Sequence, residues 1–256
     1  MIATSTQPRF AGVVKIVRFN VQFYLVSALT LAAVIVLLVW RPLPQRLEIA
    51  VLCGGAAVAF WTLSSLLVSW YVYDHAGVTR WQWLPGRLPG AAHQWVNIHA
   101  GLDESTAALR QMFPGTDGPA IDIYESAEMT EPSISRARRL HPSREPAQPG
   151  RYNRLPVSDH EQDAVFLLFA AHEVRDPEHR TQLLRETARA LGEGGYVVIV
   201  EHLRDWKNFA AFGPGFLHFH SRRNWLRSIR AAGLFVESET QVTPFVRCFV
   251  LRAEIR

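Results

Sequence analysis

Two long uncharged runs constrain this chain more than any other feature. Phe19–Trp40 is 22 residues and Ile49–Tyr73 another 25, each rich in Val, Leu and Ala and neither containing a charge. About 20 helical residues cross a hydrocarbon layer of about 30 Å, and a buried helix of a soluble protein is seldom so long and so apolar on every face. Arg41-Pro42-Leu43-Pro44-Gln45-Arg46 supplies a short polar turn between them. The pair is therefore expected as an antiparallel transmembrane hairpin over residues 19–73, behind an N-terminal tail of residues 1–18. Trp40, Trp70, Tyr71 and Tyr73 stand at the span ends, where interfacial aromatics belong. Gly54, Gly55, Ala56 and Ala57 allow close helix approach, within the hairpin or between chains. The alternative is a pair that lies in the interface, or packs on the rest of the chain, without crossing.

The charge distribution follows this division. Residues 1–94 hold seven Lys/Arg against two Asp/Glu, and residues 95–256 hold 20 against 21, so the net +4 belongs to the N-terminal part. The near-neutral remainder has no basic stripe with interleaved aromatics, and a nucleic-acid partner is not expected. Arg9, Lys15, Arg18, Arg80 and Arg87 flank the spans, while Arg41 and Arg46 lie in the turn. This bias places both termini and the body on the cytoplasmic side of a membrane of the bacterial inner-membrane type. The first run is over-long for a signal peptide. The two cysteines, Cys53 and Cys248, form neither a disulfide scaffold nor a zinc cluster and suit a reducing compartment.

Residues 74–94, rich in Trp, Pro, Gly and His, read as an interfacial linker. Trp81 and Trp83 either insert at headgroup level or cover the core of the body. From Trp95 the pattern alternates between strands and helices. Strands are expected at Trp95–Ala100, Ala120–Tyr124, Asp163–Phe169, Tyr196–Val200, near Leu234–Glu239 and at Val246–Arg252. Helices are expected at Glu104–Phe113, near Pro132–Leu140, at Pro177–Leu191 (closed by Gly192-Glu193-Gly194-Gly195) and at Arg222–Ala232. His141–Asn153 shows no clear periodicity, and Glu201–His220 reads as a loop. The nearly continuous apolar runs around Val165 and Val198 are those of strands buried on both faces of a parallel sheet. The two closing strands are too tightly connected for a crossover helix and should be antiparallel. The fold expected is α/β, a doubly wound, mostly parallel sheet with an antiparallel last strand, covering residues 95–256.

The order of these features carries a family resemblance. Leu155-Pro156, the strand Asp163–Phe169, the loop Ala170-Ala171-His172-Glu173-Val174, the helix end Arg189-Ala190-Leu191-Gly192-Glu193-Gly194-Gly195 and the strand closing on Glu201 resemble the second half of a class I S-adenosylmethionine-dependent methyltransferase. The quinone-methylating branch is the nearest. The hairpin lies outside the resemblance. The first motif also departs from it, because His99-Ala100-Gly101-Leu102-Asp103-Glu104-Ser105 has one glycine where the family has a Gly-rich turn after an acidic residue.

Candidate residues cluster at strand ends, where open α/β sheets bind ligands. Asp122 can accept bonds from two ribose hydroxyls and matches the family's ribose position by resemblance; otherwise it caps the following turn. Tyr124 could flank an adenine. Gly101 is a candidate close-approach glycine, and Asp103 either replaces the missing acid or caps its helix. Phe169 and Ala170 follow the strand at which the family sets the transferred group against the acceptor. His172 could take a proton from a phenol or hydroxyl, or bond the loop backbone. Glu201 and His202 complete the catalytic candidates. With His218, His220 and Asn208, and with Phe212, Phe216, Phe219 and Trp225 as apolar walls, they would line an acceptor pocket. No metal is expected, since none of these residues has the spacing of a helix-borne ligand motif.

The resemblance thus implies S-adenosylmethionine as cofactor and methyl transfer to a small lipophilic acceptor, such as a quinone-like ring, a phenol or a lipid, with membrane lipids as surroundings. The alternatives are a non-methylating modification of a quinone-like ring that uses the same cofactor, and a catalytically silent membrane module. Oligomeric state is left open.

Overall fold

The structure, a computed structural model, describes residues 9–40, 42–116, 118–143 and 145–254. The first eight residues of the expected tail and Arg41 of the expected turn lie outside the described residues. The chain divides into two compact units, residues 1–76 with Trp206–Gly215, and residues 77–205 with 216–256.

The helical unit opens with α1 (Ala11–Phe19), separated from α2 (Val21–Trp40) by Asn20 alone. Pro42 and Pro44 interrupt the chain, and α3 (Gln45–Ser69) continues through a π-helical turn over Trp70–His75. Among the described residues two helices are thus long and apolar enough to cross a membrane, with mean hydropathies of 2.5 and 1.9 over their most apolar windows. They pack on each other at the small-residue run: a Cβ at Gly55 would stand 3.0 Å from the Val34 side chain, and Tyr24 and Ser65 share a hydrogen bond of 3.0 Å. The opposite faces leave Phe23, Leu29, Leu63 and Leu67 more than 60% exposed, an arrangement that water penalises and lipid does not. Eight of the nine residues of α1 fall in the expected tail; they are helical because Asp74 caps them, with Gly12 N–H and Val13 N–H donating to its carboxylate at 2.7 and 2.9 Å. The unit also contains α7 (Trp206–Phe212), which packs along α3.

The second unit is built on one seven-stranded sheet. Its strands are β1 (Trp95–His99), β2 (Ala120–Asp122), β3 (Ala147–Pro149), β4 (Gln162–Leu168), β5 (Leu191–His202), β6 (Leu234–Thr243) and β7 (Val246–Ala253), in the order β3-β2-β1-β4-β5-β7-β6. β1 to β5 are parallel, and β7 runs antiparallel between β5 and β6. The helices are α4 (Thr106–Met112), α5 (Pro132–Leu140), α6 (Pro177–Ala190) and α8 (Arg222–Ala231). β4 and the middle of β5 are buried on both faces, and α6 meets the sheet with Leu183, Leu184 and Thr187, the face read from its period. Each such aliphatic side chain contributes roughly 1.5–3 kcal/mol.

Departures from the expected elements have local causes. α4 starts at Thr106 rather than Glu104, because Asp103 accepts from Ser105 N–H and Thr106 N–H and holds the segment before it out of the helix. Gly192–Gly195 does not close α6. The chain turns extended at Leu191, which is already the first residue of β5 and faces Gln162 of β4. β3 lies in the stretch without periodicity. Trp81 is 1% exposed and belongs to the body's core, donating from its indole to Glu104 C=O at 3.0 Å.

Candidate active site

The candidate residues lie at or just beyond the C-terminal ends of β1, β2, β4 and β5, four strands adjacent in the order β2-β1-β4-β5. At the end of β1 the chain turns at Gly101, φ +91°, a conformation that favours glycine. His99, just before it, is 3% exposed, and its Nδ1 accepts from Gly101 N–H at 3.3 Å. Burial holds this imidazole below its ordinary pKa, against the raising charges of Asp103 and Asp122, so the neutral ring carries its proton on Nε2. That atom is buried without a partner among the described residues, and so is Asp103 Oδ2. Asp103 Oδ1 is spent on α4 as described, which is the cap reading of that residue. The remaining oxygen is an acceptor directed elsewhere.

Asp122 ends β2, level with His99 across the strand pair. Its Oδ1 accepts from Tyr124 N–H at 3.0 Å, and its Oδ2 from Arg138 of α5 at 2.6 Å. The Arg138 guanidinium lies 4.3 Å above the Tyr124 ring and fills the space beside Gly101, where a Cβ would meet it at 2.7 Å. Asp122, Tyr124 and Gly101 are thus brought together as expected, and Arg138 is the member that sequence reasoning missed.

The second cluster follows β4 and β5. Phe169 leaves β4 with φ +54° and redirects the chain into Ala170-Ala171-His172. His172 is anchored to the end of β5 twice: its N–H donates to Glu201 Oε1 at 3.1 Å, and its Nδ1 lies 2.7 Å from Glu201 Oε2. On the other side of the ring, Nε2 lies 3.4 Å from Glu173 Oε1. Burial alone would depress this imidazole, but the charges and hydrogen bonds of Glu201 and Glu173 prevail and raise its pKa to about 10. Glu173 is held below its ordinary value, its burial outweighed by the bond and charge of His172. His218 meets the His172 ring edge-on at 5.1 Å. Burial, and then the positive charge of His172, lower its pKa to about 4. His172, Glu173 and His218 present ligand-type atoms within 4.8 Å of one another. Yet the Arg175 guanidinium stands 3.4 Å from His218 Nδ1 and donates to its backbone carbonyl, so a cation already faces this cluster.

His202 is placed differently from His172. It is 4% exposed, stacked between Phe169 and Phe219 at 5.5 and 4.8 Å, with Nδ1 3.0 Å from Phe245 C=O. This is the geometry of a wall. Trp225, expected as a possible pocket wall, lies fully buried in the core beneath Arg180, and Asn208 and Phe212 belong to α7 of the helical unit. Arg180, 2% exposed, joins the loop after β4 to the segment before α8 through bonds to Val174 C=O at 3.2 Å and to His220 Nε2 at 3.1 Å. Trp81 spans the two clusters, bonded to Glu104 after β1 and 5.8 Å from the Phe169 ring after β4.

The strand order and this edge define a class of protein. Residues 117–199 match the family model described as a methyltransferase domain. Among solved structures, the mitomycin 7-O-methyltransferase MmcR is similar at 16% identity and TM-score 0.55, over 97% of this chain and 74% of that one. A SAM-dependent methyltransferase from Aquifex aeolicus is similar at 17% and 0.52, over 67% and 88%. The PH0226 protein from Pyrococcus horikoshii OT3 is similar at 14% and 0.51, over 70% and 91%. The body has the class I S-adenosylmethionine-dependent methyltransferase fold. No curated protein sequence matches the chain.

The residues present fit that cofactor's chemistry. Asp122 offers a carboxylate to a ribose diol, while Asp103 Oδ2 and His99 Nε2–H are a buried acceptor and donor, without partners among the described residues, for an ammonium and a carboxylate.

Proposed function

We propose that this protein is a membrane-anchored enzyme that transfers a methyl group from S-adenosylmethionine to the oxygen of a small lipophilic acceptor, a quinol-like ring or phenol. The observation that carries this reading is the buried His172–Glu201 pair, which follows Phe169 at the C-terminal edge of the sheet. When bound, the cofactor supplies an electrophilic methyl on a sulfonium and departs as the neutral thioether. Asp122, Tyr124, Gly101 and Asp103 hold it, with His99 as the added donor. Phe169 and Ala170 shape the space at the junction, and Trp81 closes it to water, which strengthens the electrostatic interactions inside.

His172, which the carboxylates of Glu201 and Glu173 hold protonated at neutral pH, first gives that proton to solvent and then takes up the acceptor's hydroxyl proton. The product of that transfer is an imidazolium between two carboxylates, the state that Glu201 and Glu173 favour so strongly. The acceptor oxygen is then an anion whose lone pair forms the new C–O bond. Glu201 fixes the ring through both the side chain and the backbone of His172, and so acts as a positioning residue. Proximity supplies most of the remaining rate enhancement. The O-methyl transfer in the name of the MmcR relative supports an oxygen acceptor.

The helices of the N-terminal unit, read as a hairpin with both termini and the body cytoplasmic, would keep the pocket beside a bilayer in which such an acceptor is concentrated. Incubation of the purified chain with lipid extract and methyl-labelled S-adenosylmethionine is expected to yield a labelled lipophilic product. Absence of saturable cofactor binding, with no effect of Asp122→Ala, would overturn the enzyme reading. The Arg138–Asp122 pair supports one second reading, a silent module in which arginine permanently occupies the ribose carboxylate, and the same binding experiment decides between them.

A further inference from the structure

The segment between β5 and α8 contains a helix, α7, that clusters with the N-terminal helices. Phe209 meets Trp61 of α3 edge-to-face at 5.5 Å. Gly213, φ +54°, ends α7 so close beneath the same indole that a Cβ would stand 2.7 Å from it. Trp61 precedes Ser69, the last residue of α3, by eight positions, or about 12 Å along a helix axis. α7 is therefore packed alongside the apolar stretch of α3, short of its end. Its outward surface is apolar: Trp206 is 73% exposed and Phe209 41%, with Ala210 exposed beside them. Asn208 points the other way and is fully buried. At the same end of α3, the cationic helix α1 is tied to the π-helical turn through Asp74.

We propose that α7 is a membrane-embedded element, its Trp206–Phe209–Ala210 face seated in the acyl–headgroup boundary of the bilayer on the side that carries α1. This rests on reading α2 and α3 as a membrane hairpin. The exposed face continues the lipid-facing surface of α3 at the depth of Trp61. It pairs a tryptophan with a neighbouring lysine, Lys207, whose long stem lets its charge reach the headgroups. The occupant is lipid rather than a protein partner because the contact already made is with α3, whose surroundings in this reading are lipid. In chain order α7 follows β5 after Leu203–Asp205 alone, so the strand that carries Glu201 leads directly into the bilayer segment.

The test uses the full chain in lipid nanodiscs, with the exposed Cys53 replaced by serine and single spin labels introduced at Trp206→Cys and Ala210→Cys. Leu63→Cys on α3 reports the hairpin, and Phe235→Cys on exposed β6 reports water. The result expected is that labels at 206 and 210 behave like that at 63, with relaxation by dissolved oxygen and loss of relaxation by a water-soluble nickel chelate. Labels at 206 and 210 that behave like 235, while 63 stays in lipid, overturn the inference and leave the hairpin standing. A label at 63 open to nickel overturns both. The two α7 positions are independent, so misfolding of one variant, visible as loss of its far-UV circular dichroism, leaves the other to decide.

Discussion

Arg138→Ala is expected to tighten S-adenosylmethionine binding, although it deletes a residue of the pocket. Arg138 donates to Asp122 Oδ2 at 2.6 Å and lies over Tyr124 at 4.3 Å. A ribose diol on Asp122 must displace it. Asp122 is 23% exposed and Arg138 37%, so the pair is discounted for solvent screening to about 0.5–1 kcal/mol. The half-exposed cation–π contact adds about 0.5–1 kcal/mol. Both are given up on binding, and the sulfonium charge, of the same sign as the guanidinium, works in the same direction. The variant should therefore bind roughly 5–30-fold more tightly, corresponding to about 1–2 kcal/mol. Isothermal titration calorimetry on the full chain in nanodiscs measures this directly. Salt provides a second check: it should tighten binding to the native chain by screening the competing pair, and do less for the variant. Unchanged or weaker binding by Arg138→Ala would refute the argument and assign Arg138 to holding the ligand rather than opposing it.

Other perturbations test the acceptor side and the helical unit. His172→Gln should leave cofactor affinity unchanged and reduce turnover by about 10²–10⁴-fold, the usual worth of a general base, measured by single-turnover methyl transfer. Glu201→Gln should cost about 3–5 kcal/mol, since it leaves His172 buried with half its counter-charge. His172 has a folded pKa of about 10 against an ordinary 6.5, so its contribution to stability is complete below 6.5 and lost as pH rises towards 10. Denaturation in detergent at pH 6 and pH 10 should show this loss in the native chain and a flatter dependence in the variant. Asp74→Ala should remove the cap of α1 at a cost of about 1 kcal/mol, seen as faster amide exchange at Gly12 and Val13 without change in the body.

The parts of the fold that were legible in the sequence are those whose periods run long enough to be counted. β4, α6 and β7 fall near their expected limits because burial on both faces, or on one helical face, writes a pattern over seven or more residues, whereas the half-exposed β6 runs on to Thr243 through the residues expected as its connection. β3, three residues ending in proline, and α7, seven residues in an aromatic-rich segment, are too short to carry a period. α1 is capped by a side chain 62 positions away in sequence, which no local signal announces. The site divides in the same way. Asp122 and His172 could be read as strand-end residues, and Asp103 as a cap. The His172–Glu201 bond spans 29 positions and exists only because β4 and β5 pair in register. Arg138 reaches Asp122 from the following helix, and nothing in the helical pattern distinguishes it from Arg136 or Arg139.

The charges around His172 bear on which form of the acceptor the site receives. The carboxylates of Glu131, Glu173 and Glu201 surround an imidazolium and the Arg175 guanidinium, and His218, with its pKa near 4, is neutral at pH 7. Three negative charges against two positive leave the cluster negative by one. Such a pocket attracts a sulfonium and repels a phenolate. An acceptor already ionised in solution would be disfavoured twice, by this field and by its exclusion from hydrocarbon, whereas a neutral phenol or quinol meets neither penalty and is the form that dissolves in a bilayer. Because His172 holds a proton at neutral pH, deprotonation of that acceptor must release a proton from the cluster to solvent, either before binding or with it. The pH dependence of acceptor binding should therefore show net proton release, read as a buffer-dependent enthalpy, and Glu173→Gln, which removes the carboxylate facing Nε2, should diminish it.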